Sequence, residues 1–376
     1  MPCMSGSAAF IMPGAADWME IFATSRLDDL PETIFPPAAA DFFSSRLWYE
    51  TVIDAALPDG VAPCFVAAKR HGVVRAVFPL RLDPAGPASL TTPYTCRYAP
   101  LFAADADQEE RVAAAASFGR FCRRYPVVRL DALASGTPDL MGLAAGARAA
   151  GLIVRQFRHF GNWHEALAGR DVAAYLAGRP GSLRETIRRK LRRAEARTEM
   201  SIFATEDGLE AGIAAFEQVY ARSWKEPEPF PRFNAALMRA AAARGLLRLF
   251  VLKDASGPIA VQFWIVAGGI ATVLKLAHDE AARDLSPGTI LTAHAIRTLI
   301  AGDGVTALDF GRGDDPYKSL WASARRQRVG LLLINPRRPA GLVTLARHMA
   351  GEMRRSLRGT LSLSGRPRRR APHSRD

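Results

Sequence analysis

The segment from Leu308 to Trp321 holds the densest set of chemically able side chains in the sequence. Arg312 and Lys318 can neutralise a phosphate or a carboxylate. Tyr317 can give a proton to a departing thiolate, and Asp309 can accept a proton or simply cap a turn. These residue types favour an anionic ligand and a proton transfer, although a Gly-Asp-Pro turn with a solvated lysine would contain the same residues.

A second candidate lies where Arg283–Thr289 leads into a predicted helix. Ser286 suits the N-cap, and Pro287 suits the first helical position. Gly288 and Thr289 then offer backbone N–H groups at the positive end of the helix dipole, and Gly288 has no side chain to block a ligand. We expect a pyrophosphate to bind here, although the same residue types begin many helices that bind nothing.

The corresponding helix of the first half begins differently. Asp105, Asp107, Glu109 and Glu110 crowd its first turn. Carboxylates suit the helix dipole, but they would repel a phosphate. If either half binds an anionic cofactor at this place, we expect it to be the second half.

Trp224, Lys225 and His278 are weaker candidates for a substrate cleft. Trp224 and Lys225 end a predicted helix just before a run of prolines, and His278 ends the strand that precedes the phosphate-binding candidate. The imidazole of His278 can act as a base. An ordinary helix terminus and a loop histidine without a role account for these residues at least as well.

Several common catalytic motifs are missing from the sequence. It contains no GxSxG, HExxH, GxxxxGK[ST] or paired CxxC motif, which argues against a serine hydrolase, a zinc protease, a P-loop enzyme and a zinc module. The four cysteines are scattered without paired spacing at Cys3, Cys64, Cys96 and Cys122. We therefore expect reduced thiols and no metal site.

The elements that must position these residues alternate between strands and helices, which is typical of an α+β protein with mixed sheets. A chain of 376 residues suits about two domains. The pattern V-x-x-L-D occurs at 127–131 and again at 305–309, each time between a longer and a shorter predicted helix. We therefore predict an irregular N-terminal segment, a first subdomain, a basic connecting helix, a second subdomain and a basic tail, at 1–40, 41–170, 171–200, 201–336 and 337–376.

The net charge of +13 is concentrated in two segments. Residues 336–376 carry a net charge of +9 and residues 179–198 carry +6, so the remainder is slightly acidic. Each segment can be a solvated surface, or it can bind an anionic membrane, RNA or a phosphate-rich ligand. The tail first shows the apolar spacing of an amphipathic helix and then the composition of a disordered segment.

No segment reads as a membrane span or as a secretory signal. The uncharged segment 258–274 is too short and is interrupted by Gly268 and Gly269. The first ten residues contain no lysine or arginine. We therefore expect a cytoplasmic protein, either free or peripheral to the inner membrane through its tail.

Together these segments resemble a known family. DFGRGDDPYKSLWAS, LSPGTILTAHAI, RETIRRKLRRAEAR and the WK-ended helix are similar to the BioF2-like, CelD-type acetyltransferases of the GNAT superfamily. The resemblance covers roughly 41–336. This family includes proteins encoded beside exopolysaccharide genes, and it is related to the FemAB peptidyltransferases, whose late helix has a lysine after an aromatic residue, as Lys318 follows Tyr317.

The resemblance implies tandem GNAT-like folds, with acetyl-CoA or another acyl-CoA bound as co-substrate in the second. The pantetheine arm would lie between strands 270–277 and 305–310, which splay apart at their ends, with Leu276, Arg312 and Ser286–Thr289 binding the cofactor. An amine or hydroxyl would attack the thioester directly while backbone N–H groups stabilise the oxyanion. Tyr317 would protonate the thiolate, and Asp309 or a water would take the nucleophile's proton.

The acceptor would be a small or sugar-related molecule, in the context of exopolysaccharide biosynthesis. Two alternatives remain open at this stage. A FemAB-like peptidyltransferase would take an aminoacyl group from tRNA and grip the RNA through the basic helix and tail. A non-catalytic scaffold would instead be held by its tail in a membrane complex of polysaccharide synthesis.

Overall fold

The computed structural model describes residues 18–194 and 197–350. The strands are β1 (Glu20–Thr24), β2 (Ala62–Arg70), β3 (Val73–Asp83), β4 (Gly86–Ser89), β5 (Leu101–Phe102), β6 (Val127–Ala134), β7 (Ile153–Ala166), β8 (Glu199–Phe203), β9 (Leu247–Asp254), β10 (Gly257–Ala267), β11 (Ile270–His278), β12 (Ala307–Asp309) and β13 (Ala324–Ile334). The helices are α1 (Arg46–Ala55), α2 (Gln108–Cys122), α3 (Pro138–Ala149), α4 (Val172–Ala177), α5 (Gly181–Ala194), α6 (Leu209–Ala221), α7 (Pro231–Ala242), α8 (Pro287–Ala301), α9 (Lys318–Trp321) and α10 (339–350). Within these ranges no helix is long and apolar enough to cross a bilayer.

The strands form one mixed sheet in which the two halves interlock. Their order is β1-β2-β3-β4-β6-β13-β7-β12-β11-β10-β9-β8, with β5 paired to β3. β13 is the last strand in chain order, but it lies between β6 and β7 of the first half and is antiparallel to both. The hydrophobic periodicity of a buried strand does not specify which strands it pairs with, so this long-range pairing cannot be predicted from the local sequence.

The N-terminal segment is less irregular than its composition predicts. β1 adds an antiparallel edge strand to β2, with Glu20 opposite Lys69 and Thr24 opposite Phe65. Short 3₁₀ turns follow at Leu27–Asp29 and Glu32–Ile34. The rest of this predicted segment, residues 1–17, lies outside the described residues, as does the tail beyond 350.

A tight hairpin with Gly268 and Gly269 at its turn joins β10 and β11. Both glycines have positive φ values, +57° and +71°, which such tight turns require and which side chains with a Cβ disfavour. The amide of Gly268 also donates a 2.6 Å hydrogen bond to the carbonyl of Ala39 in the first half. The hairpin therefore fixes β11 both to its own sheet and to the N-terminal half.

The two halves share a hydrophobic core. Trp48 of α1 packs edge-on against Phe233 of α7, with ring centroids 5.9 Å apart. Tyr94, from the first half, stacks on the same phenylalanine at 4.1 Å. Aromatic pairs of this kind contribute roughly 0.5–1.5 kcal/mol beyond the area they bury. This shared core holds the halves in a fixed relation, so a site between them is built on a rigid frame.

Helix α8 is held against the sheet by an apolar face. Ile290, Leu291, Ala295 and Leu299 are buried at helical spacing, and the helix contacts β9, β10 and β11. Since α8 follows β11 after one short 3₁₀ helix, Glu280–Leu285, its N-terminus lies near the carboxyl end of that strand. The fold thus brings the predicted phosphate-binding residues to the end of a central strand.

Candidate active site

Strands β11 and β12 separate after three residue pairs. They run parallel and pair at Ile270 with Ala307, Ala271 with Leu308, and Thr272 with Asp309. β11 then continues to His278, and beyond Thr272 no strand among the described residues pairs with this edge. The result is an open cleft with the backbone of β11 along one side, at the place where the family resemblance implies one.

Two local features produce this divergence. β11 contains a bulge, because Phe263 pairs with Lys275 while Trp264 pairs with Val273, which leaves Leu274 as an extra residue. A bulge bends its strand and increases the local twist. On the other side, Gly311 adopts a φ of +64°, and a Cβ there would lie 2.7 Å from the carbonyl oxygen of Val273. The glycine therefore allows the chain that follows β12 to turn while its backbone lies close to that of β11.

The cleft opens into a cavity of about 670 Å³. Its walls come from β11, the start of α8, the segment after β12, the end of α6 and the first half's loop around residues 93–96. Clefts of roughly 300–1,000 Å³ typically hold small ligands or cofactors. Its sequence-predicted members are Trp224, Lys225, Leu276, His278, Ser286, Gly288, Thr289, Arg312, Tyr317 and Lys318.

The start of α8 differs in detail from the prediction. Ser286 adopts a left-handed conformation (φ 57°, ψ 48°), and its side chain makes no capping hydrogen bond. Its carbonyl accepts from the amide of Thr289 at 3.1 Å, so that amide is already engaged. Within the described part of the chain, the amide of Gly288 has no hydrogen-bond acceptor. One backbone donor at the positive helix end, rather than two, is therefore free for an anion.

His278 and Trp224 form the wall beside this helix start. The rings of the two residues lie 4.4 Å apart, and Trp224 is 49% exposed. A Cβ added to Gly288 would meet Nδ1 of His278 at 3.3 Å, so the imidazole lies directly over the glycine. Burial lowers the pKa of His278, which keeps the ring neutral near pH 7.

A second wall carries lysines. Lys275 of β11 forms an ion pair with Glu228, which also accepts a 2.7 Å hydrogen bond from the hydroxyl of Tyr94. Burial would raise the pKa of Glu228, but the hydrogen bonds from Lys275, Tyr220 and Tyr94 outweigh it and hold the pKa below the usual value. Glu228 is therefore a buried anion that positions Lys275 and the first half's Tyr94.

The ammonium group of Lys225 has no such partner. Among the described residues it forms no ion pair or side-chain hydrogen bond, and it lies 5.4 Å from the ring centroid of Trp224. Burial lowers its pKa, and the charge of Lys275 lowers it further. Lys225 thus borders the cavity without an ion-pair partner among the described residues, and the charges of Asp315 and Glu228 partly oppose the lowering of its pKa.

The segment after β12 places Tyr317 and Lys318 on the cavity wall. Burial raises the pKa of Tyr317, and the charge of Asp315 raises it further, whereas a hydrogen bond with Thr292 opposes this. The phenol therefore stays protonated at neutral pH. Lys318 is buried and donates to the carbonyl of Arg312, with Asp315 at 3.4 Å, so it is not the solvated lysine of an ordinary turn.

Arg312 links the two halves. Its guanidinium donates to the carbonyls of Thr92 at 2.9 Å and Thr95 at 3.3 Å, and it lies over the ring of Phe160 at 4.3 Å. Burial lowers the pKa of Arg312. The side chain borders the cavity, but its hydrogen bonds hold the first half's loop in place.

Asp309 lies behind the cavity wall. Its carboxylate accepts from the side-chain amide of Asn162 at 2.6 Å and from the amide of Gly311 at 2.8 Å, and it pairs with Arg326. The carboxylate therefore caps the turn after β12, which is the structural alternative that the sequence leaves open. This geometry does not bring Asp309 to the cavity with the other predicted residues.

The first half supplies cavity residues that sequence analysis did not identify. Pro93, Tyr94 and Cys96 line the cavity, and the ring of Tyr94 lies 4.7 Å from the ammonium group of Lys275 on β11. Burial raises the pKa of Cys96 to about 12, so its thiol stays protonated. Their only signal in the sequence is the polar and aromatic stretch around them, whose contact with the other half is not encoded locally. No cluster of metal-ligating side chains occurs in residues 18–194 or 197–350.

Comparison with known proteins agrees with this geometry. Residues 181–319 match the sequence family described as "Acetyltransferase (GNAT) domain", a range that contains β11, α8 and β12. The predicted α+β fold class is confirmed, because helices alternate with the strands of one mixed sheet. No curated protein matches the sequence significantly.

Three solved structures illustrate the likeness. FemX is 12% identical, with 84% of this chain and 98% of that chain covered at a TM-score of 0.56. L-PGS from Bacillus licheniformis is 14% identical, with coverages of 72% and 85% and a TM-score of 0.47. A tandem GNAT protein from the clavulanic acid biosynthesis pathway is 14% identical, with coverages of 83% and 98% and a TM-score of 0.45. At this identity, the FemX comparison shows a shared fold across both halves.

Proposed function

We propose that this GNAT-type protein transfers an acyl group from an acyl-CoA, with acetyl-CoA as the first candidate, directly to an amine or hydroxyl acceptor. The observation that carries the proposal is the open edge of β11 beyond Thr272, which faces a cavity with the α8 N-terminus at its mouth. A pantetheine arm contains amide groups, so it can hydrogen-bond along an unpaired strand edge as another strand would. The cofactor's diphosphate would then reach the free amide of Gly288.

The chemistry follows from the groups that border the cleft. The acceptor attacks the thioester carbon, and backbone amides of β11 near the Leu274 bulge stabilise the oxyanion. Collapse of this intermediate breaks the carbon–sulfur bond, and Tyr317 donates its proton to the departing thiolate. Because the carboxylate of Asp309 is occupied by Arg326 and Asn162, a cavity water takes the acceptor's proton, while Asp309 holds the turn that carries Arg312.

The acceptor enters between the two halves. Tyr94 and Cys96 of the first half line the same cavity as Lys225 and Trp224. An exposed tryptophan offers an apolar face on which a sugar ring can pack, and Lys225 can hold a negatively charged group of the acceptor. We therefore propose a sugar-linked acceptor, which suits the role in exopolysaccharide synthesis that the BioF2-like resemblance implies.

Isothermal titration calorimetry, which measures acetyl-CoA binding, tests the proposed donor site. Gly288→Glu adds a carboxylate beneath His278 and at the predicted diphosphate position, so binding should become undetectable. Gly181→Glu is the matched control, because Gly181 begins α5 at an exposed position with only the end of Arg184 within 4 Å of an added Cβ. Absence of binding by the wild-type protein, or equal binding by both variants, would overturn the proposal.

A second candidate, a FemAB-like transferase that uses aminoacyl-tRNA, is favoured by the position of α5. Leu183, Ile187 and Leu191 bury one face of this helix, which packs against α8. Lys190 reaches the carbonyl of Asp284 in the segment before α8. The exposed face carries arginines at 184, 188, 189 and 192. A basic surface thus borders the cavity mouth.

Salt-dependent tRNA binding distinguishes the two donors. If the arginines of α5 contact phosphates, the logarithm of the association constant should fall with the logarithm of salt concentration, by roughly 0.7–0.9 per contact. Arg189→Gln with Arg192→Gln should reduce that slope by about 1.4–1.8 and leave acetyl-CoA binding unchanged. Wild-type tRNA affinity that is absent or insensitive to salt removes this candidate.

A further inference from the structure

A cluster of five arginines lies at the end of β13 that is remote from the active site. Arg120, Arg123 and Arg124 come from the end of α2, and Arg337 and Arg338 follow β13. All five are exposed, and with Asn335 and Pro339 they line one shallow pocket of about 600 Å³. We call this the arginine pocket. It is separated from the cavity by the eleven residues of β13, a length of roughly 35 Å.

The charges of the arginine pocket are not neutralised by the protein. None of its five guanidinium groups forms an ion pair with a carboxylate in the part of the chain that the structure describes. Arg120 lies over the ring of Trp18 and Arg124 over that of Phe121, at 4.5 and 5.0 Å, so these two contact aromatic faces instead. Five like charges in one pocket repel one another unless an anion lies between them.

Helix dipoles explain only part of this arrangement. Cations at the end of α2 are favourable, because the C-terminus of a helix is negative. Arg337 and Arg338 have the opposite position, since they immediately precede the positive N-terminus of α10. Their placement is unfavourable for the isolated protein and becomes favourable once an anion binds there.

The pocket is also rigidly built. The amide of Asn335 donates to the carbonyl of Pro126 at 2.9 Å, and its side chain donates to the carbonyl of Arg123 at 2.7 Å. The oxygen of the same side chain accepts from the amide of Arg337 at 3.0 Å. At Gly341, a Cβ would clash with the carbonyl of Asn335, so only glycine permits α10 to pack this closely. The arginines at the end of α2 and those that follow β13 are therefore held at fixed positions relative to one another.

Helix α10 presents an apolar face next to the pocket. Leu342 and Val343 are each 49% exposed and Met349 is 48% exposed, which makes three large apolar residues exposed on one short helix. Leu342 and Met349 are seven residues apart and so share a face, with Ala346 between them. An exposed apolar helix face beside a cationic pocket is typical of helices that lie in a membrane interface.

We propose that the arginine pocket and α10 together bind an anionic membrane surface. The guanidinium groups hold lipid phosphates, and Leu342, Val343 and Met349 enter the acyl boundary. This site belongs to the folded body and does not depend on the basic tail that follows it, and it is independent of the proposed acyl transfer. Charge complementarity alone would also suit a nucleic acid, but exposed leucine, valine and methionine favour a bilayer.

Flotation of the full chain with lipid vesicles tests this inference. Wild-type protein should float with vesicles that contain phosphatidylglycerol and remain unbound with pure phosphatidylcholine. Arg337→Gln with Arg338→Gln should weaken binding about tenfold or more, because each basic residue near an anionic surface contributes about 1 kcal/mol. Leu342→Ser with Val343→Ser should weaken it similarly without any change in charge. Thermal melting checks that each variant is folded.

The control variant is Arg244→Gln with Arg297→Gln, which removes the same charge from two exposed arginines outside the pocket. It should float like the wild type. If the control variant lost flotation to the same extent, binding would depend on overall charge. If the Arg337/Arg338 variant floated like the wild type, binding would be assigned to the tail. Binding to tRNA but not to anionic vesicles would identify a nucleic-acid surface. Each of these results, or full flotation of the Leu342/Val343 variant, overturns the proposal.

Discussion

The two halves of the protein contain the same local arrangement with opposite consequences. In each, a strand leads through a helix to a second strand parallel to the first: β4, α2 and β6 in the first half, and β11, α8 and β12 in the second. β4 and β6 pair only at Ala88 and Arg129, so these strands also separate early. The first half therefore has the beginning of a cleft at the equivalent place.

The first half's cleft is filled by its own chain. The amide of Asp131 donates to the Ser89 hydroxyl at 2.8 Å, and Tyr98 then bridges to Leu133 where an open strand edge would otherwise remain. The helix start differs as well, since Asp107 caps α2 through the amide of Glu110. One half has thus filled the space that the other retains, and it has a carboxylate at its helix start where the other has none.

The segment that fills the first cleft also forms the wall of the second. Between Ser89 and Tyr98 the chain presents Tyr94 and Cys96 to the cavity, and Arg312 binds the carbonyls of Thr92 and Thr95 within it. A single loop therefore closes one site and shapes the other. Under the proposed acyl transfer, this comparison predicts a division of labour in which the second half holds the donor and the first half helps to hold the acceptor.

The largest expected effect comes from removing the proposed proton donor. Tyr317→Phe should lower kcat by about 100-fold or more, because general acid catalysis contributes roughly 10²–10⁴-fold. The Kd for acetyl-CoA should stay within twofold, since the phenol acts on the departing sulfur. Steady-state kinetics and titration calorimetry measure the two quantities.

The matched control for that change lies in the filled cleft. Tyr98→Phe removes another buried tyrosine hydroxyl, one that has no hydrogen-bond partner among the described residues. Its kcat should equal that of the wild type. If kcat fell less than threefold in Tyr317→Phe, or if it fell equally in both variants, the division of labour between the two halves would not hold at the chemical step.

A smaller effect is expected where the loop is attached. Both hydrogen bonds come from Nη1 of Arg312, and Arg312→Lys retains the charge but has a shorter side chain that cannot place its nitrogen at that position. The loop should loosen, so the KM for the acceptor should rise about tenfold while the Kd for acetyl-CoA changes little. The free energy of unfolding should fall by about 1–3 kcal/mol.

Arg325→Lys provides the comparison for this substitution. Arg325 pairs with Asp314 on the surface, where such an ion pair contributes at most about 1 kcal/mol. Its kinetic constants should match those of the wild type. A rise in Kd for acetyl-CoA that equals the rise in acceptor KM would contradict the assignment of the loop to the acceptor side.

The donor half was more predictable from sequence than the acceptor half, for a physical reason. A free helix start and a strand that ends in glycine are local features, so Gly288 and Tyr317 can be recognised from neighbouring residues. Contacts between distant segments decide two other features. β13 lies between β6 and β7, and Tyr94 of the first half lines the cavity of the second. Local periodicity does not specify such pairings, and the turn-capping role of Asp309 depends on Arg326 and Asn162 in the same way.

The smallest expected effect is that of protonating His278, which lies over Gly288 at the start of α8. Burial lowers the pKa of His278, so the imidazole is neutral at pH 7 and becomes protonated only below its usual value of about 6.5. In the free protein this protonation is costly, so the free energy of unfolding should decrease as the pH falls below about 6.5. A protonated ring over Gly288 would face the diphosphate, so acetyl-CoA should bind about two- to fivefold more tightly on acidification.

His278→Asn separates this effect from titration of the cofactor's own phosphates, which is common to both proteins. The variant should lose the part of the tightening that the imidazole provides, and its stability should depend less on pH in the same window. Calorimetric titrations at pH 7.5 and 5.5 measure the first difference, and thermal melts measure the second. Identical pH dependence in the two proteins would place the diphosphate away from Gly288, because a charge that appears directly over the binding amide must change the affinity for a bound anion.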